Sequence, residues 1–228
     1  MKNKNLNLDL KEFILKINYN FKNFDYLNLA LTHSSFSEKN VNYNYERLEF
    51  LGDRVLGLII ANLIYKKFPN EDEGSLSKRF SDLVSKKSLI IIARKIGIIK
   101  LLKTSKEFGH NIKITETMLS DSVEALIGAI FLDSHYDEVK KVIEKLWIPI
   151  LNMQSSPPIN PKSFLQEWCL KKQRSLPIYK VIKKKGPDHE PTFLVELEIK
   201  DFLKVSSEGQ SKQDAEIKAA NIILNKIF

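Results

Sequence analysis

The sequence predicts an α+β multidomain chain, an all-α amino-terminal domain followed by a smaller α-β-β-β-α domain. Three observations carry this. Apolar residues recur at helical spacing through most of the first 151 residues. A polar, proline-rich stretch then interrupts the pattern. Beyond it the period drops to two before a closing Ala-rich helix. The boundaries read as 1–151 for the first domain, 152–161 for a linker and 162–228 for the second domain.

The elements follow in order. From about Leu8 to Leu151 the chain reads as successive helices, with helical spacing clearest in 46–67, 75–96 and 117–132. Pro69, Gly97 and Gly109 mark breaks, and Gly97 ends a helix before a connector that runs through Lys106. The segment 152–161 contains Pro157, Pro158 and Pro161 among polar residues and cannot continue either neighbour. Ser163 to Lys172 is a short helix with Ser163 as its start. Ile178–Lys183 and Phe193–Ile199 alternate as half-buried strands do, and a third strand covers Phe202–Ser206. Ala215–Leu224 is the closing amphipathic helix.

Composition narrows the function. The 228 residues suffice for one core of ordinary size and a small second domain. A net charge of +8 and a pI near 9.3 suit a polyanionic partner, although a ribosomal or membrane-surface protein would share them. A single cysteine, Cys169, excludes an internal disulfide and fits a reducing compartment. The amino terminus does not read as a signal peptide, and no apolar run approaches the ~20 residues of a membrane span. The cytoplasm is the expected location.

Two acidic clusters stand out. Glu46, Glu49 and Asp53 fall at i, i+3 and i+7 and share a narrow sector of one helix, with Leu48, Leu51, Val55 and Leu58 roughly opposite, toward a core. Asp121 and Glu124 repeat the i, i+3 spacing on a helix that is otherwise apolar, where the surrounding face offers no matching base. Acids on helices are commonly just solvated, and for the first cluster that reading has equal weight. Carboxylates converging on an apolar helix need neutralisation, and a divalent cation held by hard oxygen ligands supplies it.

These residues carry a resemblance. Tyr45-Glu46-Arg47-Leu48-Glu49-Phe50-Leu51-Gly52-Asp53-Arg54-Val55-Leu56 resembles the signature of the bacterial ribonuclease III family, with the upstream Thr32-His33-Ser34-Ser35 similar to its THxS element. Glu73-Gly74-Ser75-Leu76-Ser77, Leu83-Val84-Ser85 and the second acidic segment, Leu119 to Asp133, follow in the family's order. The second domain resembles a double-stranded RNA-binding domain through Pro161–Trp168, Gly186–His189 and Gly209–Glu216.

The resemblance implies an endoribonuclease that cuts double-stranded RNA with Mg²⁺ (Mn²⁺ as substitute), leaving 5′-phosphate and 3′-hydroxyl ends with short 3′ overhangs. It implies Glu49, Asp121 and Glu124 as metal ligands and Asp53 and Glu124 closest to the chemistry. Glu46 is a supporting acid, and Glu73 either lies near the opposing subunit or merely caps a helix. A homodimer through the nuclease domain follows from staggered cutting. Phe50 fits that contact or ordinary core packing equally. In the second domain the RNA-binding residues are Gln166 and Glu167 on the first helix, Asp188 and His189 in a loop, and Ser211 and Lys212 at the last helix start. Such a domain reads duplex shape through 2′-hydroxyls and phosphates. Expected substrates are ribosomal RNA precursors and structured messenger RNAs. The alternative is a catalytically silent double-stranded RNA-binding or ribosome-associated protein, against which all five acids of the two clusters are retained.

Departures from the pattern are specific. Arg54 stands where a small residue is usual and, at i+1, is expected to point away from the acid face. Gln213 replaces a second basic residue and Ser207 a glycine, which lowers the expected RNA affinity and its salt slope. Lys183, Lys184 and Lys185 offer compensating charge. His135 and Tyr136, in place of small residues, have no expected consequence.

Overall fold

A computed structural model describes residues 8–36, 44–107, 110–111, 114–186 and 191–228. Contacts divide the chain into two units, Met1–Pro158 and Ile159–Phe228. Among the described residues, no helix is long and apolar enough to cross a membrane.

The first unit is helical: α1 (Leu8–Ile17), α2 (Phe24–Ala30), α3 (Glu46–Lys67), α4 (Glu73–Leu83), α5 (Lys86–Ile96), α6 (Glu116–Asp133) and α7 (Tyr136–Asn152). Two-residue strands β1 (Lys106–Glu107) and β2 (His110–Asn111) pair antiparallel between α5 and α6. The first helix of the 75–96 region is not continuous with the second. Val84 ends α4, and Ser85 caps α5 by accepting from the Ser88 N–H. A short polar side chain competes for backbone groups at a helix start, which periodicity alone does not register. Gly97 closes α5 in the left-handed conformation, φ +76°, as expected. Gly109 lies outside the described residues.

α6 is the centre of the unit. Met118, Leu119, Val123, Ala125, Leu126, Ile127, Ala129 and Ile130 are all buried, so the helix is apolar almost all round and packs against α2, α3 and α5. Its end is tied to the α1–α2 turn, where Asp133 accepts from the Tyr19 hydroxyl (2.6 Å) and the Lys22 and Asn23 amides (both 2.8 Å). α3 presents Leu48, Val55, Leu56, Ile59, Ile60 and Ile64 to the same core. Leu58 departs from the expectation, being 61% exposed. At 100° per residue it falls beside Phe50, Ala61 and Tyr65, on a second apolar stripe rather than the core face. The buried Trp147 of α7 donates its indole N–H to the Leu83 carbonyl at 2.9 Å, satisfying an end of α4.

The second unit runs α8 (Pro161–Lys171), β3 (Ile178–Lys185), β4 (Thr192–Ile199), β5 (Leu203–Gly209) and α9 (Lys212–Ile227). The three strands form one antiparallel sheet in the order β3-β4-β5, with a register irregularity between Val181 and Lys183. Leu165 and Cys169 of α8 and Ala219, Ala220 and Ile223 of α9 are buried with Leu197, Ile199 and Val205 of the sheet. The start of α8 is Pro161, not Ser163. Asn160 is the cap, accepting from the Lys162 N–H, and proline suits the first turn because no N–H is needed there.

Candidate active site

Two glycines set the geometry of the site. A Cβ placed on Gly52 of α3 would lie 1.7 Å from the Glu124 carbonyl oxygen, and one on Gly128 of α6 would lie 2.3 Å from the Leu48 carbonyl oxygen. The helices therefore cross backbone against backbone. Glu49 and Asp53, either side of Gly52, are brought to Asp121 and Glu124, which precede Gly128 by two turns and one turn. Carboxylate oxygens of Glu49, Asp121 and Glu124 all lie within 4.8 Å of one another. A cavity of about 610 Å³ above them is lined by Glu46, Glu49, Phe50, Asp53, Arg54 and Glu124.

The electrostatics follow from that crowding. Burial pushes the Glu124 carboxyl up to about 8, and the charges of Asp53, Asp121 and Glu49 add to the shift, with Arg54 opposing it. Glu49 is raised by burial and by Asp121, Glu46 and Asp53. Asp121 is raised by burial, against the hydrogen bond from Ser120 and the charges of Lys86 and His33. Three half-buried carboxylates in mutual reach, each resisting ionisation, form an all-oxygen donor set that a hard divalent cation would relieve. The residues fit such an ion.

Two expectations are corrected here. Arg54 does not point away from the acids: its guanidinium pairs with Asp53 at 3.0 Å, lies 5.8 Å from the centre of the Phe50 ring and lines the acid cavity. Its long, flexible stem folds back over the neighbouring turn, which a Cβ direction does not anticipate. Nor is Asp121 without basic neighbours, since Lys86 of α5 and His33 act on its charge. They come from sequence-distant elements, so inspection of one helix misses them.

The remaining acids separate. Glu46 is exposed and lines the cavity but stands outside the close trio, as does Asp53. Glu73 does not line this cavity; it lies in the first turn of α4 and accepts from the Ser77 hydroxyl at 2.7 Å, while Asp72 caps the helix. Phe50 is 68% exposed, so it is not core packing.

In the second unit, Gln166 is exposed and Glu167 half-buried on α8. Ser211 caps α9, its hydroxyl accepting from the Asp214 N–H at 3.1 Å. Lys212 follows in the first turn, exposed and 3.9 Å from Glu216. Ser207 donates to the Ala215 carbonyl at 2.5 Å, so the residue in the glycine position ties β5 to α9. Asp188 and His189 lie outside the described residues.

Comparisons with known proteins agree in both units. The family model described as Ribonuclease-III-like matches residues 23–151, and that of the double-stranded RNA binding motif matches 161–227. Ribonuclease 3 of Zymomonas mobilis is 43% identical over 197 residues, covering 86% of this chain and 78% of that protein. Ribonuclease 3 of Pelagibacter ubique is 42% identical over 199 residues, covering 87% and 88%. A crystal structure of the ribonuclease III nuclease domain from Campylobacter jejuni aligns with TM-score 0.55 and 32% identity, covering 70% of this chain and 99% of that one. A second structure of that domain, which concerns flexibility in a region involved in dimer formation, aligns with TM-score 0.55 and 33% identity, covering 61% and 96%. With the Ribonuclease-III-like model matched over more than half of its length, the RNA binding motif after it, and proteins named Ribonuclease 3 at 42% and 43% identity over most of it, the chain belongs to the ribonuclease III family.

Proposed function

We propose that the protein is a Mg²⁺-dependent endoribonuclease that hydrolyses double-stranded RNA, with Mn²⁺ as a working substitute. The observation that carries this is the convergence of Glu49, Asp121 and Glu124 within 4.8 Å across the Gly52–Gly128 crossing. These three carboxylates would hold the ion. When bound, a divalent ion supplies Lewis acidity at the scissile phosphate and a water of lowered pKa. Asp53, at the rim of the cavity, orients water at the phosphate, and Glu46 shapes the same rim. The water oxygen joins phosphorus and its proton passes to the departing 3′ oxygen, leaving 5′-phosphate and 3′-hydroxyl ends.

The division of labour runs 1–151 for the nuclease, 152–161 for the linker and 162–228 for duplex binding. Gln166 and Glu167 would meet minor-groove hydroxyls, and Lys212 a phosphate, aided by the free amides of the α9 start. A second copy of the chain completes the duplex cut. Phe50, Leu58 and Tyr65 form an exposed apolar stripe on α3, beside an apolar cavity of about 670 Å³ lined by Tyr26, Leu29, Leu51 and Leu132 among others. Burying that stripe against a partner is the expected route to a homodimer with two centres and short 3′ overhangs. Ribosomal RNA precursors and structured messenger RNAs are the substrates of choice, and the cytoplasm the site of action.

The test is incubation of the purified protein with an end-labelled RNA duplex, in Mg²⁺ or in EDTA, beside Glu124→Gln. Mg²⁺-dependent staggered cutting of both strands, lost in the variant while duplex binding persists, is the expected result. Tight duplex binding without cleavage by wild type in any divalent ion would move the protein to the silent binders.

A further inference from the structure

Lys86 is the first residue of α5, directly after the Ser85 cap, and it is exposed. Its ammonium reaches across to α6 and donates to the Thr117 hydroxyl at 2.5 Å. Thr117 stands four residues before Asp121, so the two side chains are neighbours on one face of α6. Side chains on a helix lean toward its amino terminus, which tilts the Asp121 carboxylate over the turn that carries Thr117. The ammonium is thereby held at the α5 edge of the trio formed by Glu49, Asp121 and Glu124. Its charge is felt at Asp121.

The nature of that contact distinguishes Lys86. Arg54 is paired with Asp53 at 3.0 Å, and Arg94 of α5 with Glu116 at 3.2 Å. Among the described residues Lys86 pairs with no carboxylate; a neutral hydroxyl holds it and leaves its charge uncompensated. An ammonium has three N–H donors and Thr117 takes one, so two remain for an acceptor arriving from solvent. The site around it is short of positive charge. The three carboxylates of the trio, with Glu46 and Asp53 at the rim, outweigh one divalent ion and Arg54, yet the substrate is a phosphodiester anion. A cation already fixed in place and not neutralised by a carboxylate offsets that repulsion.

We infer that Lys86 is a further substrate-binding residue: held by Thr117 beside Asp121, its ammonium donates to a non-bridging oxygen of the phosphodiester presented to the three acids. This rests on the reading of those acids as the centre that cuts RNA.

The test uses Lys86→Met, Thr117→Val, their double variant and Lys87→Met in the full-length protein. Cleavage of a short duplex at saturating Mg²⁺ gives kcat/KM, and titration calorimetry gives the Mn²⁺ Kd. Lys86→Met should lower kcat/KM about 10- to 100-fold, the range of a charge-assisted hydrogen bond. Its Mn²⁺ Kd should stay at the wild-type value or tighten, because a positive charge leaves the acids; loss of a merely structural pin would weaken it. Thr117→Val should lower kcat/KM about 3- to 10-fold alone and add nothing to Lys86→Met, since both remove one contact. Lys87→Met, turned by roughly 100° on α5, should stay within about threefold of wild type. A Lys86→Met protein that cuts RNA as wild type does overturns the proposal alone. So does one whose Mn²⁺ affinity falls with its activity, which would make Lys86 a support of the acids, or an equal loss in Lys87→Met, which would make the effect general attraction. A wild-type protein that neither binds Mn²⁺ nor cuts RNA overturns the metal-nuclease reading, and the role of Lys86 with it.

Discussion

Gly52→Ala strikes the contact on which the site depends. The added methyl would stand 1.7 Å from the Glu124 carbonyl oxygen, 2.6 Å from its carbonyl carbon and 2.9 Å from the Gly128 nitrogen. All three are backbone atoms, so no rotamer relieves the overlap. The closest pair must open by about 1.3 Å merely to reach the 3.0 Å below which real contacts essentially never fall. A gap of 0.5–1 Å already forfeits roughly a quarter to a half of each dispersion contact between packed faces, and α3 and α6 pack closely along their crossing. The cost should sit at or above the upper end of overpacking, about 3 kcal/mol, or ~10 °C of melting temperature for a domain of this size. Catalytic constellations tolerate only about 0.5 Å, and a displacement near 1 Å costs roughly 100-fold, so kcat should fall by about that factor. Thermal denaturation by circular dichroism and single-turnover cleavage of a short duplex read the two effects. Gly57→Ala, on the same helix, is the control. Its methyl would meet only the Phe80 ring at 3.6 Å, and helix propensity favours alanine by up to about 1 kcal/mol, so it should be neutral or stabilising. A Gly52→Ala protein that melts with wild type and keeps its kcat would refute the backbone crossing as the element that assembles the acids.

Other consequences are separable. With the Glu124 carboxyl raised to about 8 from the ordinary 4.5, the folded metal-free protein holds a proton between those values that the unfolded chain has released. The stability from this group is therefore present at low pH and lost as pH rises through about 8, and metal binding must expel the proton below it. Mn²⁺ titrations near pH 7 in buffers of different ionisation enthalpy should show that release, and titrations near pH 9 should not; equal release at both would contradict the shift. Trp147→Phe orphans the Leu83 carbonyl and should cost about 1–3 kcal/mol by denaturant unfolding, with KM for RNA unchanged. Lys212→Ala should weaken duplex binding and lower the slope of log K against log salt by about 1, and an unchanged slope would remove Lys212 from the phosphate contacts.

Much of the fold was legible because it is written in local patterns. The acids of α3 and α6 stand out by their spacing, while the roles expected of them come from the family resemblance, and Gly97 marks a helix end by its conformational freedom. What escaped notice depends on partners distant in sequence. Leu58 reads as core from its chemistry, yet the close crossing at Gly52 turns the buried face of α3 away from it and leaves it on an exposed stripe. The break at Ser85 hides within a region whose apolar spacing runs through it, because a cap is one hydrogen bond rather than a period. The bases acting on Asp121 arrive from α5 and from the segment before α3. Arg54 departs from the direction of its Cβ because its charge sits at the end of a chain long enough to return to Asp53.

In the proposed mechanism Glu49, Asp121 and Glu124 share one cation. Crystals soaked in Mn²⁺ and measured at its absorption edge test this directly. An anomalous peak within coordination distance of oxygens from all three carboxylates, absent in Glu124→Gln, is the predicted result. Saturating Mn²⁺ with no peak there, or a peak only at other acids, would contradict it.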